Sequence, residues 1–129
     1  MHEYSAACSV VESAVETARK HGARRVTGVS VDVGEFTFLV PEQLRFNFEI
    51  AAKDTIVEGA TLNIRVTKGR LLCRECGYEG ETSTDSAFPP TIAPFMPMKC
   101  ARCSSSATTI VGGREFIITS IEAEVPTQQ

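Results

Sequence analysis

Four of the five cysteines come as two Cys-x-x-Cys pairs, Cys73 with Cys76 in "CRECGYEG" and Cys100 with Cys103 in "KCARCSSS", separated by 23 residues. Each pair lets two sulfurs from one tight turn reach a single ion, and Gly77 permits close backbone approach there. Two such turns supply a closed tetrahedral thiolate site, the arrangement that structural zinc prefers. Four protein ligands leave no open position, so the expected zinc shapes the fold and does no chemistry. Two other readings stay open. Iron in the same cage would imply electron transfer. A redox dithiol fits less well, because its usual setting is one pair at a helix start. The segment has few large apolar side chains, and metal binding, worth roughly 10–16 kcal/mol in small zinc peptides, would supply what its core lacks. Cys8 has no partner in sequence and is expected to be a small buried hydrophobe.

The second feature with chemistry in it is the start of the chain, "MHEYS". The α-amine of Met1, the deprotonated amide nitrogen of His2 and its imidazole Nδ1 can close two fused chelate rings in one plane. Nitrogen donors in a square plane suit nickel(II) or copper(II) and suit zinc badly. Glu3, a water or a partner group could fill the fourth corner. The initiator methionine is expected to remain, because histidine is a large second residue. Taken alone the motif is weak: a histidine at a frayed helix start, followed by a glutamate that the helix dipole favours, is the plainer reading. His21, the other histidine, reads as a cation at a helix C-terminus.

The elements that must position these groups follow from the hydrophobic period. Residues 4–20 predict an amphipathic helix, with Tyr4, Ala7, Val11, Ala14 or Val15, and Ala18 on one stripe and Gly22 as the stop. Val29, Val31 and Val33 alternate with polar neighbours in a strand that ends at Gly34. Pro41 opens a second helix to about Lys53, with Leu44, Phe48 and Ala51 or Ala52 facing in. "EGATLNIRV" is a second strand, with Leu62, Ile64 and Val66 on one face. "EFIITSIEAEV" is the last, with Ile117, Thr119, Ile121 and Ala123 sharing a face. The economical topology returns that last strand to the first sheet. The fold expected is α+β, a small mixed three-stranded sheet packed against two helices. Residues 1–69 plus 113–129 would form it, with 70–112 as an inserted zinc-ribbon-like domain built on the four cysteines. Inside the insertion, "AFPPTIAPFMPM" carries too many prolines for a helix or a central strand and reads as a stiff loop or arm.

Composition narrows the function. The chain has 129 residues, a formal net charge of -3, 43% hydrophobic and 22% charged residues, which is ordinary globular usage. Non-specific phosphate binding needs surplus Lys and Arg, so no nucleic acid is expected. No apolar run approaches a membrane span and no signal peptide is evident, so a soluble cytoplasmic protein is expected. No serine or cysteine is paired with a plausible base, and no hydrolytic activity is expected.

The opening "MHEYS", the run "LRFNFEIAAKDTIVEGATLNI", the paired knuckles and "GREFIITSIEAEV" near the end together resemble the HypA family. These are hydrogenase maturation factors that act as nickel metallochaperones and not as enzymes. The resemblance covers nearly the whole length in the same order. It implies nickel as transient cargo at Met1, His2 and Glu3, and structural zinc at Cys73, Cys76, Cys100 and Cys103. It also implies delivery to the precursor of the [NiFe]-hydrogenase large subunit, with the GTPase HypB as partner; some bacterial relatives also serve urease. The second knuckle departs from the pattern, reading Cys-Ala-Arg-Cys-Ser where many members have proline and glycine. A zinc-ribbon adaptor that transfers no nickel is the competing reading.

Overall fold

The computed structural model of the chain describes residues 2–81 and 98–126. Met1 and residues 87–97 of the proline-rich stretch, for which the sequence suggests a nickel ligand and a stiff arm, lie outside the described residues. The chain forms two compact units, one of residues 1–32, 39–65 and 117–129, the other of residues 33–38 and 66–116. Among the described residues no helix is long and apolar enough to cross a membrane.

In the first unit, helix α1 spans Glu3–Lys20, with Glu3 in its first turn and Arg19 and Lys20 in its last. That order suits the helix dipole. At its end Gly22 takes the left-handed conformation. The Ala23 N–H then donates back to the Ala18 carbonyl (2.9 Å) and the Gly22 N–H to that of Arg19 (3.1 Å), satisfying carbonyls that the helix leaves over. His21 is the C-cap, the position its sequence context suggests. Strand β1 is Arg25–Gly34, and helix α2 is Pro41–Ala52 with the proline at its first position, where a missing N–H costs nothing. Strands β2, Thr61–Thr67, and β6, Phe116–Glu124, flank β1 in a three-stranded sheet of order β2-β1-β6. The last strand therefore does return to the first sheet. It runs antiparallel to β1: the Arg24 N–H donates to Glu124 O (3.0 Å), and Thr119 Oγ1 donates to Ser30 O (3.3 Å).

The core of this unit is built from Val26, Val29 and Val31 of β1, Leu44, Phe48 and Ala52 of α2, and a run of alanines and valines on α1. The buried α1 residues are Ala6, Ala7, Val10, Val11, Ala14 and Ala18. This face is rotated from the stripe that the sequence suggests. Small side chains let α1 approach its neighbours closely, so the alanines set the contact line. Tyr4, expected on that line, is left on its shoulder at 54% exposed, and Cys8, expected to be buried, is half-buried beside it. Two strand faces also differ. Val66 is 51% and Ile117 54% exposed, and Thr119 and Ala123 are open as well, whereas Phe116 and Ile118 are half-buried. All of these lie on edge strands, where alternation alone does not say which face is covered.

The second unit holds a second sheet that the sequence does not announce. Strand β3, Arg70–Cys73, lies between β4, Glu79–Glu81, and β5, Thr108–Gly112, and pairs antiparallel with both. Strands of three to five residues are too short to display a period. Leu71, 4% exposed, is the large apolar side chain buried in this sheet. Residues 33–38 pack against the two chain segments that enter and leave the sheet. The Phe36 N–H donates to Gly113 O and the Gly34 N–H to Glu115 O, both at 2.7 Å, while the Glu35 carboxylate accepts from the Gly69 N–H (3.2 Å). Glycine is required here by space. A Cβ on Gly34 would sit 2.1 Å from the Gly113 carbonyl oxygen, and one on Gly69 would sit 2.3 Å from the Phe36 ring.

Gly34→Ala therefore forces backbone apart and should destabilise the chain by about 1–3 kcal/mol or more, as overpacking does. Urea unfolding of the variant beside Gly22→Ala, where nothing lies within 4 Å and only the left-handed backbone is strained, checks this.

Candidate metal centre

The two knuckles are built alike, 27 residues apart. In the first, the Cys73 N–H donates to Tyr78 O (2.8 Å), the Gly77 N–H to Cys73 O (3.0 Å), and the Cys76 N–H to Cys73 Sγ (3.4 Å). In the second, the Cys100 N–H donates to Ser105 O (2.8 Å), the Ser104 N–H to Cys100 O (2.9 Å), and the Cys103 N–H to Cys100 Sγ (3.5 Å). The Arg102 N–H adds a further bond to Cys100 Sγ (3.3 Å). Each turn closes through a left-handed residue after its second cysteine, Gly77 at φ 77° and Ser104 at φ 63°. The departure noted in the second knuckle is thus a serine doing in strained backbone what glycine does freely in the first.

The result brings all four sulfurs within 4.8 Å of one another. Cys73 and Cys103 are 3.6 Å apart, as are Cys76 and Cys100. An ion 2.3 Å from each sulfur of a tetrahedron, the zinc–thiolate distance, would set the edges at about 3.8 Å, so two of the six edges are already near that length and the others lie within 4.8 Å. Cys73 and Cys100 are buried, and Cys76 and Cys103 are exposed. The four thiols also compete for protons. The N–H of Cys76 lowers Cys73 to about 6, against the opposing effect of burial. The N–H of Cys103 likewise lowers Cys100. Cys103 is favoured as a thiolate by the N–H of Ser105, yet its neighbour Cys73, burial, and Cys76 and Cys100 together push it up to about 12. The cluster titrates as a unit: the first thiolate makes the next harder to form, and a cation relieves this.

The amino-terminal group lies on the first unit. His2 is the N-cap of α1, in extended backbone and exposed; its carbonyl accepts from the Ala6 N–H (3.0 Å), and its imidazole has no hydrogen bond among the described residues. Glu3 does something that the sequence does not suggest. Its Oε1 accepts from the Val40 N–H (3.3 Å), the N-cap position of α2, where no side chain of the local sequence caps. The first residues of α1 are therefore tied to the start of α2 across 37 positions. Pro41 after an uncapped Val40 is the available signal, since such a helix start needs an acceptor from elsewhere. Tyr78, Ser104 and Ser105 shape the knuckles through their backbone groups, which motif spacing alone misses; the repeated offset of 27 residues between the knuckles is the signal that points to them.

The profile of a family described as hydrogenase/urease nickel incorporation, metallochaperone, HypA, matches residues 1–123. The hydrogenase maturation factor HypA of Methanopyrus kandleri is 40% identical over 138 residues, covering 100% of this chain and 97% of its own length. That of Chlorobaculum tepidum is 38% identical over 124 residues, covering 96% of this chain and 100% of its own. Among solved structures, a solution structure of HypA protein superposes with a TM-score of 0.63 at 26% identity, covering 98% of both chains. The solution structure of the Ni metallochaperone HypA from Helicobacter pylori has the same TM-score at 24% identity, covering 98% of this chain and 100% of that one, and bears on the fold alone.

Two outcomes are expected at the knuckles. Gly77→Ala should cost about 1–2 kcal/mol from left-handed backbone alone, because nothing lies within 4 Å of the added carbon; Ser104→Gly should not destabilise, and thermal melts of the metal-loaded chain compare them. Metal binding near neutral pH should release protons, since the thiol at Cys103 is still protonated there. Affinity then falls as pH falls, which calorimetry in buffers of different ionisation enthalpy would measure.

Proposed function

The chain belongs to the HypA family of hydrogenase and urease nickel-incorporation metallochaperones, and we propose from this that it carries nickel(II) at its amino terminus. Members of this family work with the hydrogenase maturation machinery as carriers and catalyse no reaction. In the proposed site the Met1 amine, the His2 amide nitrogen and the His2 imidazole occupy three corners of a plane. Glu3 adds its second carboxylate oxygen as an exchangeable fourth donor, its first being engaged at Val40. One observation carries the reading: an exposed imidazole with no hydrogen bond among the described residues, held at the N-cap of a helix that is itself tied down. Such a donor is presented and not dangling, so little order is lost when an ion arrives.

Zinc occupies the four-cysteine cage in this proposal and holds the 70–112 domain together, while residues 1–69 and 113–129 carry the nickel. Tetrahedral thiolate suits zinc, and planar nitrogen suits nickel, so the two ions do not compete for one site. The client is the precursor of the [NiFe]-hydrogenase large subunit, the partner is the GTPase HypB, and the setting is the cytoplasm. Transfer proceeds by ligand exchange: a donor from the client enters at the Glu3 corner before the chelate opens.

Adding residues before Met1 while keeping His2 should abolish nickel binding and leave the fold intact, as read by calorimetry and circular dichroism. Equal affinity in the extended chain would remove the amine from the site and the proposal with it. His2→Ala should lose more than the roughly 10–100-fold that removing an outer-shell partner costs, and should retain one zinc per chain.

A further inference from the structure

Helix α1 covers its alanine face, and the stripe along the edge of that face lies open. Tyr4, Cys8, Val11 and Val15 recur there at helical spacing, and with Ala51 and Thr55 they line a groove of about 670 Å³. Val11 is buried at its base, Cys8 and Val15 are half-buried, and Tyr4 stands exposed at one end. The rim is charged in a definite order. Glu12 lies at mid-groove, Glu16 one turn further on, and Arg19 and Lys20 at the far end, all four exposed. Lys20 and Glu16 pair with each other at 3.4 Å, whereas Glu12 and Arg19 have no ion pair among the described residues. The near end, at Tyr4, is two residues from His2.

We propose that this groove receives an amphipathic helix of a partner protein, antiparallel to α1 and with its carboxyl end beside His2; its role in nickel transfer rests on the carrier reading above. Shape, charge and dipole select that occupant. From Tyr4 to Lys20 the stripe rises about 24 Å, a length that a helix of roughly 16 residues matches and a compact small molecule does not. No polar side chain is buried in the groove to orient a small ligand. An acidic first turn on the incoming helix meets Arg19, and a basic residue about halfway along it meets Glu12. Acid early and base later is also the order that a helix dipole favours, so one charge pattern stabilises both the partner helix and its seat. Antiparallel packing opposes the two dipoles. It also brings the negative carboxyl end of the partner helix to the terminal nitrogen donors, where it favours a divalent cation. A donor just past that end then reaches the exchangeable corner. A parallel helix would instead set its positive amino end against the cation and its basic last turn against Arg19. One helix in one groove covers less than the roughly 1,200 Å² of a stable interface, so the contact is transient, as a hand-over requires.

The test uses the full-length, zinc-loaded chain labelled with nitrogen-15, without nickel, and a synthetic peptide of about 16 residues. The peptide carries glutamates in its first turn, leucines at helical spacing and a lysine at its middle. Titration should shift the amide signals of α1 from Tyr4 to Lys20 together with those of Ala51 and Thr55. A nitroxide on the peptide's carboxyl end should broaden Tyr4 and Ser5, and one on its amino end Arg19 and His21. Arg19→Glu should weaken binding by about threefold at low salt with circular dichroism unchanged, and a peptide with lysines in its first turn should recover it. Four results would each overturn the proposal: no shifts in the groove, shifts centred on Phe46 and Ile50 of α2, the reverse broadening pattern, or equal affinity of Arg19→Glu for both peptides. Nickel takes no part in these measurements, so the terminal site stands or falls separately.

Discussion

Four sulfurs crowded within 4.8 Å are the constraint on which the second unit depends. Among the described residues of that unit the buried hydrophobic side chains are few: Val33, Leu71, Cys73 and Cys100. The Cys76 N–H and the neighbouring thiols hold Cys73 low, whereas, against the Ser105 N–H, the neighbouring thiols and burial push Cys103 up. Without a cation the cluster is a source of repulsion once it ionises. With one, the same crowding becomes the strongest cross-link in the unit, joining two turns 27 residues apart. The backbone has already done the positioning: both knuckles aim N–H groups at sulfur and close through left-handed residues.

The amino terminus is organised on the opposite principle. Where the cage has four donors from two rigid turns, the start of the chain offers a few donors around an exposed histidine. A closed tetrahedral site suits an ion that stays, and a sparse planar one suits an ion that leaves. In the proposed nickel site the helix would hold the donors in place. Alanines let α1 pack closely, and Glu3 fastens its first turn to the beginning of α2. The same carboxylate supplies the acceptor that Val40 lacks locally, so the start of α2 and the presentation of His2 rest on one contact.

The glycines at 34, 69 and 113 show how chain crossings are accommodated in so small a protein. Residues 33–38 lie against both segments that bound the second sheet, and there is no room for a side chain at the crossing. Glu35 and Glu115 satisfy backbone N–H groups at Gly69 and Gly113 there, so an irregular region is closed with carboxylates and not with strands.

Much was legible in the order of residues. Both helices, their proline and glycine boundaries, the three long strands, the return of the last strand to the first sheet and the grouping of the four cysteines all follow from local rules with a recognisable period or spacing. These signals survive because each is a property of neighbours in the chain. What the chain order left undecided was which side of an element meets something. The α1 face turned towards its alanines and left Tyr4 and Cys8 aside, and Val66 and Ile117 faced outward on edge strands. The second sheet, the Glu3–Val40 tie and the crossing at Gly34 are contacts between residues far apart in sequence. Spacing fixes which donors and turns exist; only packing, which weighs every face against the others, decides where each of them points.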